Sequence, residues 1–204
     1  LTHIRHSEKV CNMRRLLLIL ILMLSFQNLT RADDIRDFQI EGISIGDSLL
    51  EHTNKEFILD KINTAFFYPN SKKFAVINFN KENLKLYDDL NIAIKPKDSK
   101  FIIHSIKGVS NKDLDECLRI KKKVNNNISK IASNAETKTY TNDYNKTYGK
   151  TIAYIDDYYL KDGLIRTWCV VWDREYVKDN WVNSLNVNAG SLEWKKFLQK
   201  EAYK

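Results

Sequence analysis

Between Thr151 and Trp172 the chain carries two runs rich in β-branched and aromatic residues, Thr151–Leu160 and Leu164–Trp172, joined through Asp162-Gly163. Asp-Gly between two such runs is a type I′ hairpin signal, because both central residues of that turn need positive φ. A two-residue turn at this point predicts that Leu160 faces Ile165, Tyr158 faces Thr167 and Asp156 faces Cys169. On the second strand Trp168, Val170 and Trp172 share one face, and Ile165, Thr167, Cys169 and Val171 share the other. A strand that is apolar on both faces belongs in the middle of a sheet and is covered on both sides.

The rest of the pattern supplies neighbours for that hairpin. Phe74–Phe79 reads as a strand. Leu90, Ile92 and Ile94 alternate with Asn91, Ala93 and Lys95, and after the Pro96-Lys97-Asp98-Ser99 turn Phe101–Ile106 reads as the return strand. These three predict an antiparallel meander. Ser184–Ala189 is a candidate last strand, and the Gly42 region between Asp37 and Ile45 a short strand or turn. Leu49 and Leu50, with Phe57, Ile58 and Ile62, suggest one helix. Leu114, Cys117, Leu118, Val124, Ile128 and Ile131 form an apolar stripe on a second, about Asn111–Ile131, with Ser110 as N-cap and Asp113 completing a capping box. Ser191 caps a terminal helix containing Leu192, Trp194, Phe197 and Leu198. The polar stretch 133–150, rich in Asn, Thr, Lys and Tyr, reads as a loop. In it Tyr140, Tyr144 and Tyr148 recur every four residues, as a packed helical face or as stacking surfaces. The sum is a single α+β domain over 33–204, with an antiparallel sheet of five or six strands and two or three packed helices.

What precedes residue 33 reads as an address. Met13-Arg14-Arg15 is followed by nine unbroken apolar residues, Leu16–Leu24. Nine helical residues span about 14 Å, half of a hydrocarbon core, which suits a signal-peptide h-region better than a membrane span. Thr30-Arg31-Ala32 provides the small residues of a cleavage site, so 13–32 is expected to be removed after Ala32; 1–12, upstream of Met13, reads as a non-native extension. Loss of residues 1–32 takes five basic side chains (Arg5, Lys9, Arg14, Arg15, Arg31) and one acid (Glu8) out of the formal +7 and leaves about +3. So small a charge does not support nucleic-acid binding, and the run Arg119-Ile120-Lys121-Lys122-Lys123 reads as a solvated helix face. Cys117 and Cys169 remain. An even count in an exported chain favours a disulfide, here from helix to strand; two buried thiols or a catalytic thiol are the alternatives.

Gly46-Asp47-Ser48-Leu49 resembles the nucleophile block of GDSL-type lipases and esterases. In that family the base comes from an Asp-x-x-His element and an oxyanion donor from Gly-x-Asn-Asp. Neither occurs here, and no histidine follows His104. A serine hydrolase using Ser48 is therefore the disfavoured alternative, and the motif reads as a helix cap. Asp156-Asp157 are paired carboxylates, but adjacent strand residues point to opposite faces. Asp156, within an aromatic strand, is a weak ligand-site candidate together with Tyr158, Trp168 and Trp172. No cofactor or metal is expected. The run Asp34–Leu50 and the stretch Asp157–Tyr203 are similar to a family of small exported proteins of AT-rich marine alphaproteobacteria. The resemblance implies an exported location and nothing about activity. The expectation is a non-catalytic periplasmic or secreted protein that binds a small ligand or an envelope partner, touches the membrane only through its leader, and does not bind nucleic acid.

Overall fold

The computed structural model describes residues 34–79, 84–178 and 181–203, so the expected leader 13–32, its cleavage point after Ala32 and the upstream stretch 1–12 lie outside the described residues. The chain enters with a 3-10 turn at Ile35–Asp37 and a small hairpin, β1 (Gln39–Ile40) and β2 (Ile43–Ser44). Its turn residues Glu41 and Gly42 both have positive φ, 53° and 79°, which is the type I′ geometry. A second 3-10 turn, Leu49–Glu51, precedes α1 (Lys55–Asn63). The single helix expected here is split because Asn54 caps α1 with its side chain, accepting from Phe57 N at 2.8 Å.

Among the described residues, eight further strands make one antiparallel sheet: β3 (Phe66–Tyr68), β4 (Ser71–Asn78), β5 (Asp89–Ile94), β6 (Ile103–Asn111), β7 (Glu136–Asp143), β8 (Ile152–Tyr159), β9 (Gly163–Val171) and β10 (Ser184–Ser191). Their spatial order is β3-β4-β5-β6-β10-β9-β8-β7. The single α+β architecture is as expected, with the meander β4-β5-β6 and β9 in the interior, but the sheet has eight strands rather than five or six. The extra strands are the two edges. β3 lies at one edge. At the other, the expected loop at 133–150 is in fact β7 followed by a short helix, α3 (Asn145–Tyr148). β7 is exposed along nearly its whole length, so no apolar alternation marks it. Its threonines and Tyr140 nonetheless favour extended backbone, and its charges suit an edge.

The β8–β9 register differs from the expected one by two residues. Tyr159 faces Leu164, Tyr158 faces Ile165, Asp156 faces Thr167 and Tyr154 faces Cys169. The turn therefore consists of Lys161 and Asp162, with Leu160 N donating to Gly163 O at 3.0 Å, and neither turn residue has positive φ. Gly163 is needed for closeness: a Cβ there would lie 2.3 Å from Ile35 Cδ1 and 2.5 Å from Gly190 O. Asp162 is held in place by accepting from Ile35 N at 3.2 Å. A two-residue slip leaves every side chain on its expected face.

The long helix α2 (Leu114–Ile131) lies against β9 and β10. Its N-cap is Asp113, which accepts from Glu116 N at 2.9 Å; Ser110 belongs to β6 and is buried. The buried stripe is Cys117, Ile120, Lys121 and Ile128, while Leu118 is exposed. The main core lies on this side of the sheet, from Ile35 and Ile58 through Ile92 and Ile106 to Val187. The disulfide Cys117–Cys169, with Cα atoms 6.0 Å apart, ties α2 to β9. On the opposite face α4 (Arg174–Lys178) follows β9, and α5 (Leu192–Lys200), capped by Ser191, packs Trp194 and Phe197 on Phe74 and Ala93 as a second, smaller core. Helix α5 covers only part of that face.

Candidate ligand-binding groove

Strand register arranges the uncovered face in rows. Asn91, Lys107, Asn188, Arg166, Asp157 and Lys138 stand directly opposite one another across β5, β6, β10, β9, β8 and β7. One step along the strands on the same face, Val109, Asn186, Trp168, Ile155 and Tyr140 form the next row. The sequence dictates this alternation. In β10, Asn186 and Asn188 face this side, while Leu185, Val187 and Ala189 enter the main core.

Between the polar row and α5 lies a cleft of about 390 Å³, with Lys107, Arg166, Trp168, Asn188 and Lys195 in its wall. A second recess of about 550 Å³ shares Lys107 and Trp168 with the first and continues to Trp172, Trp181 and Tyr148. Among the described residues no aspartate or glutamate lines either one.

The cations of the cleft are unequally matched. Arg166 is bidentate on the buried Asp157, donating from Nε to Oδ1 at 2.6 Å and from Nη2 to Oδ2 at 2.8 Å. The hydroxyls of Tyr140 and Tyr159 also donate to Asp157 Oδ2, each at 3.2 Å. The Asp157 hydrogen bond holds the Arg166 guanidinium above its ordinary pKa. Lys107 has no carboxylate and no hydrogen-bond partner among the described residues. Its ammonium sits 5.3 Å from the Trp168 ring centroid, and burial pulls its pKa below the ordinary lysine value. A cation–π contact returns about 0.5–2 kcal/mol, which does not replace a counter-charge. Lys195 stands 4.6 Å from the Tyr159 ring centroid at the rim.

The four expected site residues do not converge. Trp168 lies at the centre of the groove. Trp172 belongs to an aromatic cluster, 4.4 Å from Trp181 and 5.8 Å from Tyr148 between ring centroids. Tyr148 and Tyr144 pack in the same cluster, but Tyr140 is on β7 beside Asp157, so the three tyrosines do not form one helical face. Asp156 and Tyr158 point the other way, under α2. Tyr158 is part of the main core. Asp156 accepts from Lys121 Nζ, from Asn125 Nδ2 at 2.7 Å and from the Thr139 hydroxyl. Thr167 closes the network by donating to Asn125 Oδ1 at 2.7 Å. Burial pushes the Asp156 carboxyl up, but the hydrogen bonds from Lys121 and Thr139 outweigh it and the pKa is lowered. Lys121 is thus not on a solvated face: its position four residues from Cys117 places it on the inward stripe. The groove residues Lys107, Arg166, Asn186, Asn188 and Lys195 lie outside the candidate set Asp156, Tyr158, Trp168 and Trp172. The Asn-x-Asn alternation in β10 is the signal that marks the face.

Ser48 is a capping residue. Its hydroxyl donates to Lys100 O at 2.6 Å and accepts from Leu50 N at 3.2 Å, and Glu51 Oε1 completes the box by accepting from Ser48 N. The imidazole of His52, four residues on, is directed to Asp47, with Nε2 3.5 Å from Oδ2. Among the described residues no three His, Cys, Asp or Glu side chains converge in a way that could hold a metal ion. No protein-family profile, curated protein or solved structure matches the chain.

Proposed function

We propose that this chain is an exported, non-catalytic binding protein whose ligand is a small anion-bearing molecule held on the open sheet face at Lys107 and Trp168. One observation carries the reading: among the described residues the cleft has no carboxylate in its lining, and it contains a largely desolvated lysine with no counter-charge. Burying a cation without a partner is costly, and an anionic ligand removes that cost. The Asn186 and Asn188 side chains donate from Nδ2 to Ser184 and to Ser105 and Ile106, which fixes their amides against the sheet. Their carbonyl oxygens remain as acceptors for ligand hydroxyls.

Export is supported by the apolar run Leu16–Leu24 and by the Cys117–Cys169 bridge, which needs an oxidising compartment to persist. Membership of the marine alphaproteobacterial family is proposed on the same residues as before and adds only location. Ser48 supports the non-catalytic reading, because its hydroxyl proton is directed to a backbone carbonyl and no histidine among the described residues hydrogen-bonds to it.

The test is thermal unfolding of the purified protein with increasing galacturonate or inorganic phosphate. At a hundred times Kd a ligand adds about 2.7 kcal/mol. The melting temperature is expected to rise with at least one of the two anions in the native protein and not in Lys107→Met. If neither anion stabilises the protein, or if Lys107→Met responds as the native protein does, the reading is wrong.

A further inference from the structure

The two recesses adjoin at Lys107 and Trp168, which border both, and a ligand spanning that border would use them as one groove. Trp168 and Trp172 are four residues apart on one face, about 13 Å along an extended chain. A single six-membered ring cannot touch both, so a ligand that uses the whole groove is a chain of units. The second recess is walled by Trp172, Trp181 and Tyr148 and floored by Asn186 and Ser184. Flat aromatic faces next to side-chain amides and hydroxyls suit rings with an apolar face and a rim of hydroxyl groups.

Other polymers fit less well. A peptide docking by strand addition needs a free sheet edge, whereas β6, β10, β9 and β8 are paired on both sides. A single-stranded nucleic acid needs cations along the whole track, and among the described residues Lys107 is the only charged one lining the second recess. An acyl chain would leave Lys107 and the carbonyl oxygens of Asn186 and Asn188 without partners.

We infer that the groove binds an acidic oligosaccharide: one carboxylated sugar ring lies at Trp168 with its charge on Lys107, and the following rings extend to Trp172 and Trp181. This rests on the anion-site reading above and adds the ligand's class and length. In this arrangement the carboxylate draws the Lys107 ammonium off the indole and frees that face for the sugar. Trp181, 43% exposed, provides the outer platform.

The experiment is titration calorimetry with galacturonate, trigalacturonate, methyl-esterified trigalacturonate, inorganic phosphate and oligothymidylate. Each is titrated into the native protein, Lys107→Met and Trp181→Ala, with far-UV circular dichroism to verify folding. Trigalacturonate is expected to bind at least about tenfold tighter than the monomer, a difference of about 1.4 kcal/mol. Esterification and Lys107→Met should each weaken it about tenfold or more, and Trp181→Ala should remove the advantage of the trimer over the monomer. Equal binding of phosphate, monomer and trimer would leave a simple anion site and overturn this inference alone. Tighter binding of oligothymidylate than of trigalacturonate also overturns it. Binding of none of these anions overturns both this inference and the anion-site reading beneath it.

Discussion

Substituting Lys121 by methionine probes the polar network under α2. Lys121 and Asp156 form a buried ion pair in which each side chain is 9% exposed. Methionine keeps the helix propensity and most of the volume of lysine and removes only the ammonium. Asp156 then keeps its hydrogen bonds from Thr139 and Asn125 but loses its counter-charge. Removing one partner of a buried pair costs about 3–5 kcal/mol, and the two neutral donors that remain place this site near the lower figure, about 3 kcal/mol at pH 7. The cost depends on pH with a definite sign. In the native protein the lowered Asp156 pKa contributes stability that is present above the unfolded value of about 3.9 and is lost as pH falls through the folded pKa. In Lys121→Met burial prevails and the carboxyl moves above its ordinary value. Protonation then relieves the variant before it affects the native protein, so the gap is widest at pH 7 and narrows toward pH 4. Urea unfolding followed by tryptophan fluorescence and far-UV circular dichroism reads this directly. With a slope of about 2 kcal/mol/M, the midpoint at pH 7 falls by about 1.5 M. The double variant Lys121→Met/Asp156→Leu removes both charges and is expected to recover most of the loss. A single variant within about 0.5 kcal/mol of the native protein, or a gap that does not change with pH, would refute the assignment of Lys121 as the counter-charge.

Three further outcomes are expected. Reducing Cys117–Cys169, which closes a loop spanning 52 positions, lowers stability by about 4 kcal/mol in the chain-entropy treatment; an unchanged urea midpoint after reduction would contradict this. Ser48→Ala loses a cap and costs about 1 kcal/mol without altering stabilisation by anions, which thermal scans of the variant with and without galacturonate will read. Anion affinity declines as pH rises through the lowered Lys107 pKa, before the ordinary lysine value of about 10.4 is reached. In the same window the unfolded chain binds more protons at Lys107 than the fold does, so this group's contribution to stability rises with pH. Calorimetry across alkaline pH is expected to show that decline in the native protein and a flat profile in Lys107→Met.

Apolar periodicity made the interior of the fold legible and left its margins obscure. The meander, the β8–β9 pair and the terminal helix with its Ser191 cap are readable because each buries a regular apolar set. β7 is not, since its stability comes from pairing with β8 rather than from burial. The turn after Leu160 misled for a related reason. Gly163 follows Asp162 because Ile35, 128 positions earlier, packs against it, and a long-range contact of that kind leaves no local mark. The ligand groove was half visible. Trp168 and Trp172 stand out by size, whereas Lys107 lies just beyond the stretch Phe101–Ile106 in which the sequence shows a strand. Its exceptional state, desolvated and unpaired, exists only once β10 and α5 are in place.

The pair Asp156-Asp157 sets the two faces of the sheet against each other. Both carboxylates are buried, and each has a cation reached by sheet or helix register. On the α2 side the account closes within the protein: Lys121, Asn125, Thr139 and Thr167 satisfy Asp156 and one another. On the open side Arg166, Tyr140 and Tyr159 satisfy Asp157 and Lys138 reaches Glu136, yet the same row also holds Lys107, its one cation without a carboxylate among the described residues. A row built only for stability would have no reason to keep Lys107 at its centre, because an uncharged residue of similar length there would remove a desolvation cost. Lys107→Met is therefore expected to leave the ligand-free protein at least as stable as the native one while abolishing its response to anions. Opposite signs in those two measurements separate a ligand-binding lysine from one retained to support the fold, since a supporting lysine would lower stability when removed.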